Sequence, residues 1–587
     1  TFTIDESGTW SGTFSKATLN LETNAYTENW EAGKKIPVAA SRNLLTVDWD
    51  AQNTAAAEKF PGTNCCKVLP ATQGNQTPAL SNEIWWTCDN QEANRFINWL
   101  RGLDWNGSAY VARKNPLLDM EHSGATVIKE PGGVYSDADY AAFSSSNASR
   151  DAVVYVQSNG GILHAFDYES GVEKWGFIPP NVLHFNRLAR LRFAFDDGVN
   201  PANPTPALTM NAKTFPVYTL DGSLVAEDVK LSAGFATILC GSLGKAGCGM
   251  YAMNVTDPLK PQFMWALENQ LSYNQGIVYV WTPKNISQTG AVAADAVMYP
   301  HVAISGAYNY SRLGMAIGVP SIGYVENNAA NSWVFIVGGG MNQNIASRDV
   351  SEVGKAIYVS SVQDARILRE FVSGDVTGSL SGETTKLGMV LTPVSAFVAT
   401  PGENIMEVYT ADHRGHVLRG SFDSGKASTW SLRTLFTLKS DTSTTSNTKP
   451  IVIPHALEMG IFGGKKWIFG GTADVRGPDQ QVLSNDRQYI FGFNSEGSQD
   501  KSLIKEDLYP ITPGDDSMYL GDATSVSLGK SAGWYMVLQL RNTAKKQEAE
   551  YASTPPLLYN NALLIATFIP SIEDANDQCQ IGGTSRL

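Results

Sequence analysis

Charged side chains are scarce in this chain. Asp, Glu, Lys and Arg make up 17% of its 587 residues, where about a quarter is usual for a soluble protein. Positive charge is the scarcer sign: 44 Lys and Arg against 57 Asp and Glu leave a formal net charge of −13. No uninterrupted basic run is longer than a pair, as at Lys34–Lys35, Lys465–Lys466 and Lys545–Lys546. A protein that holds phosphates needs clustered cations to displace counterions, so nucleic acid is excluded as the main partner. The acidity reads as a device for solubility. No apolar run approaches the ~18 residues of a membrane-spanning helix. The zinc-protease string His-Glu-x-x-His is missing, as is Arg-Gly-Asp, and the seven histidines are scattered. The six cysteines contain no Cys-x-x-Cys pair with a nearby His, which rules out the usual zinc motifs.

What is abundant points to strands. The chain holds 53 Gly, 23 Phe, 22 Tyr and 14 Trp, a mixture that suits aromatic-rich strands joined by tight turns. A chain of this length exceeds one hydrophobic core unless that core is built from repeating units. The start, Thr1-Phe2-Thr3-Ile4, has neither an initiating Met nor a signal peptide, and reads as the beginning of a processed or truncated piece. Residues 1–124 differ from the rest, with polar and small-residue stretches and a predicted helix over Asn90–Leu103 carrying Phe96, Ile97, Trp99 and Leu100 at helical spacing. They read as a lead-in that packs on the main body, residues 125–587.

In that body the clearest unit runs Asp151–Val156, a Ser158-Asn159-Gly160-Gly161 turn, Ile162–Asp167, a Tyr168–Gly171 turn, then Val172–Trp175. This is strand, turn, strand, turn, strand ending in Trp, with Asn-Gly and Ser-Gly supplying the turns. Echoes occur at Ala236–Leu239 with Gly249–Asn254 and Trp265, at Trp333–Val337 with Ala356–Val359, at Glu407–Thr410 with Gly415–Leu418 and Trp430, at Lys466–Phe469 with Tyr489–Phe493, and at Gly533–Leu538. Their spacing is uneven, so fixed-period blades such as WD40 do not fit. The fold class is mainly β: an irregular β-propeller with long loop insertions.

Candidate residues follow from local chemistry. Cys240 and Cys248 flank a Gly-rich turn, and a hairpin there predicts a disulfide between them; Cys65 or Cys66 can close on Cys88. The alternative is reduced, buried thiols. Tyr308-Asn309-Tyr310, Tyr273-Asn274 and Trp85-Trp86 are candidates for an adhesive face, because Tyr and Trp supply contact area at low entropic cost; for Trp85-Trp86 internal packing is the preferred reading. His164 sits among apolar neighbours and reads as a hydrogen-bonded core histidine. Asp167 reads as an Asx-type turn cap. His413 and His416 fall between strands, where a shared metal is not expected.

The stretch Val153–Pro180, with Leu163-His164-Ala165-Phe166-Asp167 at its centre and Phe177-Ile178-Pro179-Pro180 at its end, resembles the PilC/PilY family of type IV pilus proteins. Further matches come in order: Trp10-Ser11-Gly12, Trp99–Gly102, Arg113–Asp119, His122-Ser123, Tyr251–Pro258, Gly533-Trp534-Tyr535, Ser553-Thr554-Pro555, Thr567–Pro570 and Cys579. The resemblance covers nearly the whole chain. It implies a propeller of seven blades and a non-enzymatic adhesin and assembly factor at the pilus tip or bacterial surface, outside the cell. The implied partners are minor pilins and a host-cell or abiotic surface, in support of pilus biogenesis, twitching motility and attachment. It also implies a further N-terminal region, often von Willebrand A-like, ahead of Thr1. The family's calcium loop falls on Ala399, Pro401, Glu403, Ile405 and Glu407. Two glutamates with Ala, Pro and Ile cannot supply the six to eight oxygens calcium takes, so the loop reads as degenerate and no cofactor is expected. The enzymatic alternative is a quinoprotein dehydrogenase, whose blades carry a similar Trp signature and whose adjacent-cysteine disulfide Cys65-Cys66 could mimic. Only one good Trp unit is present, which favours the pilus reading.

Overall fold

The computed structural model describes residues 2–4, 10–47, 57–59, 98–105, 108–113, 116–183, 218–270, 277–281, 307–315, 318–328, 330–342, 351–378, 387–423, 425–438, 451–473, 487–498, 503–511, 532–538, 540–542, 547–560, 562–572 and 581–587. The fold is mainly β, as the alternation of short apolar runs and Gly-bearing turns predicts. The chain separates into two compact units, residues 1–319 with 361–367 and residues 320–360 with 368–587. The boundary expected at 124/125 lies inside the first unit.

The first unit holds two large sheets. In the first, Val153–Ser158, Ile162–Asp167 and Glu173–Ile178 form an antiparallel meander, extended by Thr126–Ile128 on one side. On the other side Leu44–Val47 of the lead-in adds in parallel, pairing Gly176 with Leu44 and Ile178 with Thr46. Val153–Ser158 is buried along its whole length. Both faces are covered, so the sequence shows a continuous apolar run where a one-sided strand would alternate. The second sheet is a five-stranded meander, Leu224–Leu231, Gly234–Ser242, Gly249–Asn254, Gln262–Gln270 and Ile277–Trp281. One core built on Trp175, Phe177, Tyr155, Tyr251, Phe263 and Trp281 runs through both sheets.

The lead-in also contributes the hairpin Ser15–Asn20 with Ala25–Glu31. Its Trp30 indole donates to the Tyr168 carbonyl at 3.1 Å and covers the turn at Gly171. That glycine has φ +72°, and a Cβ there would lie 2.5 Å from the Trp30 ring. Only glycine satisfies both the left-handed backbone and the close ring.

In the second unit three sheets follow the same plan. Ser321–Asn327, Ala330–Gly338, Ile357–Ser361 and Ile367–Phe371 form a four-stranded order. Ser395–Val398, Ile405–Ala411, His416–Ser421 and Ser431–Thr437 form the next meander, and Glu458–Phe462, Lys465–Gly471, Tyr489–Asn494 and Gly533–Val537 another. Five blade-type sheets are thus present among the described residues, against the seven that the family resemblance implies.

Candidate functional site

The first unit brings its polar groups together where the turn after Val153–Ser158 meets the segment 119–123 and the loop 218–223. Two arrangements share this edge. One is internal. Ser158 Oγ lies 2.9 Å from His164 Nε2, His164 Nδ1 lies 2.7 Å from Glu173 Oε1, and Arg42 clamps the same carboxylate through Nε at 2.6 Å and Nη2 at 2.9 Å. The third Arg42 nitrogen donates to the Leu100 carbonyl at 2.7 Å. A carboxylate at Nδ1 fixes the proton there, so Nε2 accepts from the serine hydroxyl. Burial acts to raise the Glu173 pKa, but the Arg42 charge and the His164 bond outweigh it and hold the group at about 2. Burial lowers the His164 pKa despite Glu173, which keeps the imidazole neutral at pH 7.

Nucleophile, base and carboxylate in this order are the elements of a hydrolytic triad. Here Ser158 and His164 are each only 1% exposed and Glu173 3%. A small cavity lined by Trp99, Arg113, Ser158 and His164 lies alongside. Covered to this degree, the hydroxyl has no room for an acyl substrate. The chain of bonds joins the three strands of the first sheet to the lead-in, the structural part that the sequence assigns to His164. Asp167 likewise caps its turn, accepting from Ser170 N at 2.8 Å and Ser170 Oγ at 2.6 Å.

The second arrangement faces solvent. His122 Nδ1 lies 2.8 Å from Asp221 Oδ2, and its backbone N–H donates to Asp221 Oδ1 at 3.3 Å. On the far side of the ring, His122 Nε2 stands 3.6 Å from Glu121 Oε1. Lys245 Nζ is also 3.6 Å from that oxygen. Asp221 is buried, while Glu121 and His122 are exposed. Deeper in, Asp119 accepts from Asn159 Nδ2 at 2.6 Å. Burial raises the Asp119 pKa, the Asn159 bond opposes this, and the charges of Asp221 and Glu121 add to the rise. The sequence reading passed over Glu121 and Asp221 because they lie far apart in the chain. His122 entered only as part of a family motif.

Several expectations are corrected. Cys240 and Cys248 do not join each other: the strand register sets Cys240 opposite Ala252, 252 − 248 = 4 residues past Cys248, roughly 13 Å at about 3.3 Å per residue, beyond the reach of a disulfide. Both are buried, and burial pushes the Cys240 thiol up to about 12. Tyr308-Asn309-Tyr310 does not form an exposed adhesive loop. Tyr308 and Tyr310 are buried, Asn309 is half-buried, and the Tyr310 hydroxyl donates to the Ala365 carbonyl at 2.6 Å. Their aromatic area fills the interior. The sequence reading finds no Gly-x-Ser-x-Gly elbow, yet the string itself is present at Gly529-Lys530-Ser531-Ala532-Gly533. Gly533 opens the strand Gly533–Val537, whereas a nucleophile elbow leads from a strand into a helix; Ser531 lies outside the described residues.

The positions of the family's calcium loop fall on the hairpin between Ser395–Val398 and Ile405–Ala411. Ile405 is buried and Glu403 exposed. Glu407 is taken up by the Lys466 ammonium and the Tyr409 hydroxyl, with Arg419 Nη1 at 3.7 Å. His416 Nδ1 meets Asp412 Oδ2 at 2.9 Å, and His413 Nδ1 accepts the Met389 N–H at 2.7 Å; both rings serve the fold of this turn. Cys65, Cys66, Cys88, Cys579, Trp85-Trp86, Tyr273-Asn274 and most of the helix expected over Asn90–Leu103 lie outside the described residues.

No family model matches the chain. Among curated proteins, a type IV pilus biogenesis factor PilY1 homolog of Xylella fastidiosa (strain Temecula1) is 23% identical over 594 residues, which takes in 98% of this chain. The chain is thus similar to a PilY1-type protein along almost its whole length. Type IV pilus biogenesis factor PilY1 of Pseudomonas aeruginosa (strain UCBPP-PA14) is 26% identical over 268 residues, 43% of this chain. These alignments take in 39% and 20% of the two relatives, so the PilY1-type similarity spans a minor part of their length. Among solved structures, the Pseudomonas aeruginosa PilY1 C-terminal domain matches with a TM-score of 0.49 and 17% identity, over 76% of this chain and 83% of that one.

Proposed function

We propose that this chain is a non-enzymatic type IV pilus biogenesis factor that works outside the cell at the pilus tip. It contacts minor pilins there and supports pilus assembly, twitching motility and attachment to a host or abiotic surface. The observation behind this reading is the alignment with a PilY1 homolog along 98% of the chain. The Ser158–His164–Glu173 chain fits this reading, since its three side chains are buried and bonded into the fold. Bonds are neither made nor broken in this role; the work is done by binding.

Deleting the gene in its own host and restoring it in trans tests the reading. Sheared surface pili and twitching zones should fall on deletion and return on complementation, and the tagged protein should bring down minor pilins. Normal piliation in the deletion strain, with no pilin recovered, would sink the proposal.

A further inference from the structure

The exposed group at Glu121, His122 and Asp221 has the geometry of a cation site. Their ligand atoms lie within 4.8 Å of one another. Asp221, buried, takes the Nδ1–H of His122 and so leaves Nε2 as a lone-pair donor turned away from it. This carboxylate-behind-imidazole order is how proteins orient a metal-binding histidine. Nε2 and Glu121 Oε1 stand 3.6 Å apart. Two metal bonds of about 2.0–2.1 Å in tetrahedral array span about 3.3 Å, so an ion fits between them after a shift of a few tenths of an ångström.

The frame around these groups is held independently of any ion. Asn159 N donates to the Asp119 carbonyl, Thr219 N and Oγ1 bond to Asn159, and Asp221 N donates to the Leu243 carbonyl. The charge balance also invites a cation. Asp119, Glu121 and Asp221 gather three carboxyl groups, and Lys245 is the ammonium beside them, 43% exposed and able to swing into solvent. An imidazole ligand selects against calcium and magnesium, which take oxygen, and for zinc-type ions.

We propose that Glu121 and His122 bind a divalent cation of zinc type, with Asp221 orienting the imidazole, Lys245 competing for the same carboxylate, and water in the remaining positions. This inference stands apart from the pilus reading, since it is measured on the purified chain.

Cobalt(II) is the probe, because its visible spectrum separates nitrogen and oxygen ligation from thiolate ligation. Titration of the whole chain should give a saturable spectrum of the nitrogen–oxygen kind that zinc displaces. His122→Ala should abolish it, and Asp221→Asn should weaken binding about 10–100-fold. Lys245→Met should tighten it, a gain that misfolding cannot produce. Absence of the signal in the wild-type chain, its survival in His122→Ala, or unchanged or weaker binding in Lys245→Met each overturns the proposal.

Discussion

Arg42 and Glu173 form an ion pair with both side chains shut away from water. Taking two charges out of water is costly, and their attraction offsets that cost only when every donor and lone pair is used. Here each of the three Arg42 guanidinium nitrogens finds an oxygen, and Glu173 Oε1 also receives His164. Glu173→Gln would strand a buried guanidinium. It should lower unfolding free energy by about 3–5 kcal/mol, read from urea denaturation followed by tryptophan fluorescence. The same pair sets the acid response. His164 and Glu173 both have folded pKa values depressed from 6.5 and 4.5. Each therefore contributes stability above its unfolded pKa that is lost as pH falls. The melting temperature should drop first below about pH 6.5 and more steeply below about pH 4.5, and Glu173→Gln should flatten the second fall. At this scale the sequence was half legible. His164 as a core histidine could be read from its apolar neighbours. Its partner Arg42 could not, because nothing local announces a bond spanning 131 positions.

At the scale of the element, the Trp that ends the third strand in the sequence pattern has a physical reason. The Trp175 indole donates to the Pro258 carbonyl at 2.7 Å, and the Trp265 indole to the Val362 carbonyl at 2.7 Å. Each ring fills the core while its N–H satisfies a turn carbonyl far along the chain. Trp175→Phe keeps most of the apolar volume and orphans the Pro258 oxygen, so a loss of about 1–3 kcal/mol is expected; an unchanged denaturation midpoint would refute this role. Strands and turns of this kind were visible in the sequence, since Asn159-Gly160-Gly161 and Ser170-Gly171 mark them. The hairpin between Cys240 and Cys248 was visible too, but its register was not. A turn that includes the short helix Gly244–Ala246 places the two cysteines far out of step. Tyr308 and Tyr310 misled for a related reason: a polar Asn between tyrosines looks the same whether the rings point into solvent or into a core.

At the scale of the whole molecule, the two compact units each have cores of their own. Leu44 to Trp281 supply the main one in the first, and Val325 to Leu432 and Tyr409 to Leu508 supply the main ones in the second. A chain of 587 residues organised in this way should not unfold as a single cooperative system. Scanning calorimetry should give a measured enthalpy well above the van't Hoff value, or two resolved peaks; one two-state peak would contradict separate units. The motif order that relates the chain to PilY1-type proteins was legible without coordinates, because it depends on residues and their sequence and not on their placement. The Glu121–His122–Asp221 group was not, since it exists only where 121–122 and 221 meet across the fold.

The two indole bonds bear on how the first unit answers a pull. Trp175 and Trp265 tie together positions 83 and 97 apart in the chain. Tension applied along the backbone bears on each tie first, and the stretch it brackets stays unloaded until the tie gives. The bonds thus act as rip-stops, confining a tear to one stretch before the next is loaded, and stretching would release length in steps instead of one collapse.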